Sequence, residues 1–300
     1  MNLQQAELPK VTVVIPCYNQ AHYLVECLNS VLGQTLSFWE AIVIDDASTE
    51  GDAAAVAQAL GDPRIRVVRH EKNRGLAAAR NTGFRLASAP LVLPLDSDDM
   101  LAPTYLEQTV RALETHLEID CVFTHFKFFG ASDEVCRYEV RDVPFLLQAQ
   151  WIPGPGTLMR RTVWEKAKGY CEAEELRSGN EDWDFWLTVA ELGLHAMALP
   201  EPLYLYRKHA ASMSSTTLSY HADITWPYLY ERHRALYDAY GAGPKFLASG
   251  YRRAARAAWA RKEWRRAVRL LVRAWRLTLW GARGLKADLH KGGEGAARNN

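Results

Sequence analysis

Leu95-Asp96-Ser97-Asp98-Asp99 places three carboxylates in four residues, directly after the apolar run Leu91-Val92-Leu93. A run of that kind ending in acids reads as a buried parallel strand that delivers carboxylates to the carboxyl edge of a sheet. Open α/β sheets bind ligands at that edge. Clustered acids repel one another and need a counter-cation, and hard oxygen ligands suit Mg²⁺ or Mn²⁺, usually together with phosphate. A plainer role exists for the same residues, with Asp98 and Asp99 capping a helix that starts near Pro103. The segments on either side decide between the two.

Upstream, Val11-Thr12-Val13-Val14-Ile15 is a β-branched run stopped by Pro16, which reads as a buried first strand. Helical spacing follows over 21–32 (Tyr23, Leu24, Cys27, Leu28, Val31), closed by Gly33. Ala41 to Ile44 is a second strand ending in Asp45-Asp46, and the Ala-rich 52–60 segment is a helix closed by Gly61. Ile65 to Val68, Leu76 to Ala87 and Leu91 to Leu95 continue as strand, helix and strand. This βαβ alternation predicts an α/β fold with a doubly wound, mainly parallel sheet, flanking helices and right-handed crossovers. Downstream the pattern loosens. A helix over about 103–116 and a strand over 119–124 precede Trp151-Ile152-Pro153-Gly154-Pro155-Gly156, which is too rich in Pro and Gly for regular structure. Residues 182–193 read as helix, Leu203 to Tyr206 as a short strand, and the chain is helical from Thr225 onward.

The 300 residues suffice for one large domain with an appendage, expected as 1–220 and a basic helical region 221–300. No uncharged apolar stretch is long enough to span a bilayer, and Met1 to Lys10 lacks a basic and apolar leader. Five scattered cysteines without a CxxC pair argue against a disulfide framework or a zinc site. The expected location is the cytoplasm. A net charge of +1 hides an asymmetry, since residues 245–300 hold 15 Lys and Arg against 3 Asp and Glu. An acidic body therefore carries a basic tail, and the two meet different partners.

Three strand ends carry polar residues of one kind: Pro16-Cys17-Tyr18-Asn19, Asp45-Asp46 and Asp96-Ser97-Asp98-Asp99. In a doubly wound sheet they are neighbours. Acids beside an aromatic suggest a pocket for a base, a ribose and a metal, with carboxylates accepting from hydroxyls or a base N–H while Tyr18 walls the base. Asn73-Arg74-Gly75 and Arg80-Asn81 put amide and guanidinium groups around a helix start, which suits phosphate, or equally a solvated face and a glycine turn.

Val13 to Asn19, Asp45-Asp46-Ala47-Ser48, Asn73 to Asn81 and Leu95 to Asp99 stand in the order seen in family 2 glycosyltransferases, which the chain resembles over about its first 110 residues. The resemblance implies the GT-A fold and an inverting, non-processive transfer from a nucleotide sugar. Further matches run to about residue 215. Gly156 to Arg161 looks like the acceptor-side loop, which brings in Gly156 and Thr157, and Lys168-Gly169-Tyr170 resembles a Gly-Gly-aromatic turn with Lys in place of the first Gly. Asn180 to Trp186 resembles the ED-centred segment, whose Asp is the catalytic base, here Asp182 beside Glu181 and Trp183. Tyr206 to His209, with Ser212, resembles a loop that closes over the diphosphate, Arg207 on phosphate and His209 as a further metal ligand. The implied donor contacts are Pro16, Tyr18, Asn19, Asp45, Asp46, Asn73, Arg74, Arg80, Asp96 and Arg207. The implied Mn²⁺ or Mg²⁺ seat is Asp98 with Asp96 or Asp99.

Those residue types fit the chemistry: a general base takes the acceptor hydroxyl's proton and a cation stabilises the departing nucleoside diphosphate. The donor leans to UDP, and the acceptor to a saccharide, lipid-linked or in the cell envelope. Glu181-Asp182 has a plainer reading as caps of the helix that follows. The QxxRW signature of processive synthases is absent, which points to a single addition. Two rivals are a catalytically inactive, membrane-associated scaffold of the same fold and a sugar-phosphate nucleotidyltransferase. The latter would want a Gly-rich basic loop where this chain has Pro16 to Asn19.

In the tail, Trp264, Val268, Leu271 and Trp275 follow 4-3-4 spacing while arginines fall largely on other faces. Either this amphipathic helix meets an anionic membrane surface, at the inner face of the membrane, or a hairpin of about 246–261 and 264–280 packs on the body through the Trp stripe. Nucleic acid is not expected, because the rest of the chain is acidic.

Overall fold

Val11–Cys17 forms β1, and every one of its residues is buried. A fully buried Val or Ile contributes about 1.5–3 kcal/mol, so this strand anchors the sheet more strongly than any surface pair. The computed structural model describes residues 8–209 and 215–280; residues 1–7, Ser212 and 281–300 lie outside them. Contrary to the expectation that Pro16 stops it, β1 runs through the proline to Cys17. The β1–β4 ladder ends at Val14 opposite Pro94, so the missing N–H of Pro16 interrupts no pairing.

The alternation then proceeds as the periodicity predicts. It runs α1 (Ala21–Leu32), β2 (Trp39–Asp45), α2 (Ala53–Leu60), β3 (Ile65–Arg69), α3 (Leu76–Leu86) and β4 (Leu91–Pro94). Asp52 caps α2 by accepting from the Ala55 N–H, and Gly61 ends it in the left-handed conformation. These strands make a parallel set in the order β3-β2-β1-β4. Helix α3 lies so close to β1 that a Cβ on Gly83 would stand 2.2 Å from Val14 Cγ1.

Beyond β4 the sheet changes character. A two-residue β5 (Met100–Leu101) and α4 (Tyr105–Thr115) lead to β6 (Cys121–Gly130), which is longer than the expected 119–124. After β7 (Val135–Cys136) and α5 (Val143–Leu146) come β8 (Thr157–Arg160), α6 (Arg161–Lys166), α7 (Glu181–Glu191) and β9 (Ala196–Lys208). Strand β8 sits antiparallel between β4 and β6, and β9 pairs in parallel with β6 and antiparallel with β5. The short strand read at 203–206 is the end of this much longer β9. Its register on β6 shifts between Thr124 and Phe126, which breaks the alternation that sequence periodicity relies on.

The described residues form two compact units, one of 8–141, 151–172 and 181–209, the other of 142–150, 173–180 and 215–280. Two short segments, 142–150 and 173–180, group with the helical unit. That unit contains α8 (Ser215–Tyr220), α9 (Ala222–Arg232), α10 (Arg234–Ala239), α11 (Gly243–Ala260) and α12 (Trp264–Trp280). Its centre is Trp226 stacked on Phe246 at 4.6 Å, where Gly250 leaves room for the indole. The hairpin of α11 and α12 forms as read, but not through the Trp stripe. Ala267, Leu270, Ala274 and Leu277 are the buried residues of α12, whereas Trp264, Val268, Leu271 and Trp275 are exposed. A 3-4-3 series and a 4-3-4 series coexist on this helix, and the one with small residues permits the closer approach.

Candidate active site

The carboxyl ends of β1, β2 and β4 converge at the point where strand order reverses around β1. Asn19, in the left-handed region at φ 56°, begins the site. Its side-chain oxygen accepts from the Thr49 and Glu50 N–H groups at 2.8 and 3.1 Å, and its own N–H donates to Ser48 Oγ. Tyr18 beside it remains 45 % exposed, available to wall a flat ligand.

The acids after β2 are both buried and fully engaged. Asp45 accepts from the Ser48 N–H and the Arg69 guanidinium. Asp46 accepts from His70 Nδ1 at 2.6 Å and from the Arg74 and Gly75 N–H groups at 2.9 and 2.7 Å. A carboxylate only accepts, so Nδ1 carries the proton toward Asp46, while Thr82 Oγ1 stands 3.0 Å from His70 Nε2. Asp46 thereby fixes the Asn73–Gly75 turn, where Gly75 at φ 89° leads into α3.

Two arginines read as phosphate arms have other work. Arg80 is 1 % exposed and donates to Asp96 at 2.9 Å and to Glu181 at 2.8 Å. Burial alone would lower its pKa, but Asp96 and Glu181 outweigh that and hold it charged. Arg207 donates to the Asp98 carbonyl and to Glu26, with its guanidinium over the rings of Tyr23 and Phe129. Arg74 is paired with Glu172 at 3.0 Å near the surface.

The segment after β4 divides its acids. Asp99 turns inward, 1 % exposed, and accepts from Tyr204 Oη at 2.6 Å and the Arg207 N–H at 2.8 Å. Burial, then the Asp96 and Asp98 charges, push its carboxyl well above the usual range. Both oxygens of Asp99, expected as part of the metal seat, are thus engaged by the protein itself. The capping alternative is excluded, since Thr104 stands at the N-cap of α4. Asp98 and His209 approach to 2.9 Å, each side chain about one-sixth exposed, and Asp96 is more open at 26 %. Among the described residues no three His, Cys, Asp or Glu side chains gather into a metal cluster. A carboxylate and an imidazole do suit Mn²⁺ or Mg²⁺ when phosphate completes the coordination.

Helix α7 begins with Glu181 and Asp182 at its positive end. Glu181 is buried on Arg80, and its carboxyl is pushed up to about 7 by burial and then by Asp182, against the pull of Arg80. It positions Arg80 rather than facing a ligand. Asp182 is half-buried and accepts from the Trp183 N–H at 2.8 Å. Its other oxygen lies over Gly154, where an added Cβ would stand 2.2 Å from Oδ2. Gly154 is the neighbour that sequence reasoning missed; the hint was the Pro-Gly-Pro-Gly run itself. Gly156, at φ 68°, is occupied by packing, because a Cβ there would overlap the Tyr204 ring. Thr157 is fully buried, with its hydroxyl on the Pro153 carbonyl, and Trp183 is 5 % exposed. Thr157 and Trp183, expected on the acceptor side, are thus both buried. The Lys168-Gly169-Tyr170 turn is held by Asn81, which bonds both the N–H and the carbonyl of Tyr170.

A mainly parallel, doubly wound sheet with acids at its carboxyl edge, followed by β8, β6 and β9, is the GT-A fold of sugar transferases. Residues 12–172 match the family described as Glycosyl transferase family 2, and the chain belongs to it. It is 31 % identical over 229 residues to a Bacillus subtilis protein named as a glycosyltransferase, EpsE, covering 72 % of this chain and 79 % of that one. A chondroitin synthase of Escherichia coli is 35 % identical over 191 residues, 62 % of this chain, but the chain spans only 27 % of that protein's length. Among solved structures, TarS of S. aureus in complex with UDP-GlcNAc shares 18 % identity at a TM-score of 0.59, covering 88 % of this chain and 90 % of that one. A mannosyltransferase of Pyrobaculum calidifontis in complex with GDP-Man and Mn²⁺ shares 20 % identity at 0.58, covering 85 % and 76 %. The chain is a glycosyltransferase.

Proposed function

We propose that this glycosyltransferase moves one sugar, with inversion, from a nucleotide sugar to a hydroxyl of an envelope or lipid-linked saccharide, with UDP as the favoured leaving group. The observation that carries this reading is the placement of Asp182. It is a half-buried carboxylate at a helix start, with one oxygen fixed by its own chain and the other over a residue with no side chain. Asp182 takes the acceptor proton as the hydroxyl attacks the anomeric carbon from the face opposite the leaving group. Arg80 and Glu181 hold the start of α7 in place. Asp98 and His209, with Asp96, would hold a divalent cation together with the diphosphate, and the cation supplies charge stabilisation to the leaving group. Tyr18 and the Asn19 turn form the wall for the base.

Asp182→Asn is expected to lower transfer by about 10²- to 10⁴-fold while leaving donor binding nearly intact. Near wild-type transfer by that variant removes the assignment, and an anomerically retained product removes single displacement. Calorimetry with UDP and GDP tests the cation. Affinity should rise with Mn²⁺ or Mg²⁺, and Asp98→Ala should abolish the rise.

Likeness to a Bacillus subtilis protein named for teichuronic acid biosynthesis, 32 % identical over 214 residues, supports a bacterial polysaccharide setting for this chain. The acceptor then lies at the inner face of a membrane. The excess of 15 basic over 3 acidic residues in 245–300 supports reversible, peripheral attachment from the cytoplasm to anionic lipid.

A further inference from the structure

Resting on that membrane reading, we infer that α12 lies in the plane of an anionic bilayer and inserts one defined face, led by Trp264 and Trp275. Successive α-helical residues turn by about 100°, so Trp264, Val268, Leu271, Val272, Trp275 and Leu279 fall within a sector of about 100°. All six are exposed, Trp275 by 60 %. The buried residues Ala267, Leu270, Ala274 and Leu277 occupy a separate sector, turned to α11. The third sector is basic. The helix carries five arginines and no Asp or Glu. A helix bound only to its own protein needs one apolar face, and this one has two.

Charge selects the occupant of the second. Arg265, Arg269 and Arg276 are exposed beside the apolar sector, where a bilayer would place phosphate groups. Arg266 is the exception, bonded to Asp223 at 2.9 Å and to Glu263, and it staples α12 to its own unit. A cleft of about 490 Å³ is lined by Arg266, Arg269, Arg273 and Arg276, against one acid, Asp223. Trp259 of α11, 54 % exposed, meets Trp264 edge-on at 4.6 Å and widens the aromatic face. Indole rings favour the interface between headgroups and acyl chains, and long arginine stems reach outward from there to phosphate. Among the described residues no helix is long and apolar enough to cross the bilayer, so the face dips in rather than spans.

The test uses the full chain and sedimentation with vesicles of phosphatidylcholine, with and without phosphatidylglycerol. The chain should bind only the anionic vesicles. Trp264→Ser with Trp275→Ser, both at exposed positions, should weaken binding at least about tenfold by removing inserted apolar area. Arg269→Ala with Arg276→Ala should weaken it about tenfold and reduce its salt dependence. No binding of the wild-type chain to anionic vesicles overturns the membrane reading and this inference with it. Binding that ignores the tryptophan substitutions but disappears with salt overturns the insertion face alone, leaving attachment to the tail's charge. A wild-type chain that self-associates until Trp275→Ser releases it, without binding vesicles, overturns the inference in favour of a second copy.

Discussion

The two acidic strand ends, after β2 and after β4, start from nearly the same sequence and finish differently. Asp45 and Asp46 are saturated by donors from their own chain, and their carboxylates serve as nodes that fix the Ser48 and Asn73–Gly75 turns. After β4 only Asp99 is treated that way. Asp96 and Asp98 keep part of their surface open and have one neighbouring cationic or imidazole group each. The lesson is that an aspartate at a strand end is assigned its role by the supply of nearby donors. Saturated carboxylates hold shape, whereas Asp96 and Asp98 keep surface that a ligand could reach.

The comparison breaks most readily at Asp46. Asp46→Ala leaves the His70 N–H and two backbone N–H groups without an acceptor, so it should cost about 3 kcal/mol or more in denaturant unfolding. A variant as stable as the wild type, yet unable to bind nucleotide, would make Asp46 a ligand group rather than a node. Gly154→Ala probes the carboxylate at the start of α7. The added methyl would collide with Asp182 Oδ2 at 2.2 Å, and a displacement of that order should lower transfer about 10²-fold with nucleotide affinity retained. Unchanged transfer would show that the carboxylate need not rest there.

A smaller effect sharpens the contrast through pH. Glu181 is an acid whose folded-state pKa, about 7, lies above its ordinary 4.5. Between those values the folded protein holds a proton that the unfolded chain has released. Stability therefore falls as pH rises through that window and levels off above it. Glu181→Gln should flatten this slope in unfolding curves taken across the window, and an unaltered slope would detach Glu181 from it. The smallest effect is expected at Lys168, at φ 61° in the turn that Asn81 holds. Lys168→Gly removes the left-handed penalty of a side chain and should stabilise by roughly 1 kcal/mol, reduced by glycine's greater unfolded freedom. A loss of stability would mean that the lysine has a favourable contact outweighing its backbone strain.

Much of the parallel half was legible because it is written in local signals: apolar runs, the Asp52 cap, and glycines at the end of α2 and the start of α3. The identities of the strand-end acids were legible for the same reason. What they bind was not. Arg80 reaches Glu181 across 101 residues and Tyr204 reaches Asp99 across 105, and no window of sequence contains both members of either pair. The antiparallel entry of β8 beside β4 is likewise decided by packing of the whole sheet rather than by its own four residues. On α12 the sequence showed the Trp stripe but not its direction, because an interleaved Ala/Leu stripe of 3-4-3 spacing competes for the buried side.

The tether from β9 to the acids after β4 has a consequence for the order in which the protein is made. Tyr204 and the Arg207 N–H fix Asp99, the Arg207 side chain takes the Asp98 carbonyl, and His209 meets Asp98. As synthesis proceeds from the N-terminus, the parallel pairings among β1, β2, β3 and β4 have both their strands once residue 94 is available. The carboxylates after β4 wait for more than a hundred further residues before β9 arrives to set them. Strand pairing across such separations is slow, because the long loop must close before the contact stabilises it. A nascent chain arrested before residue 204 therefore carries the acids of the site without their geometry, and the enzyme's competence is one of the last properties its folding confers.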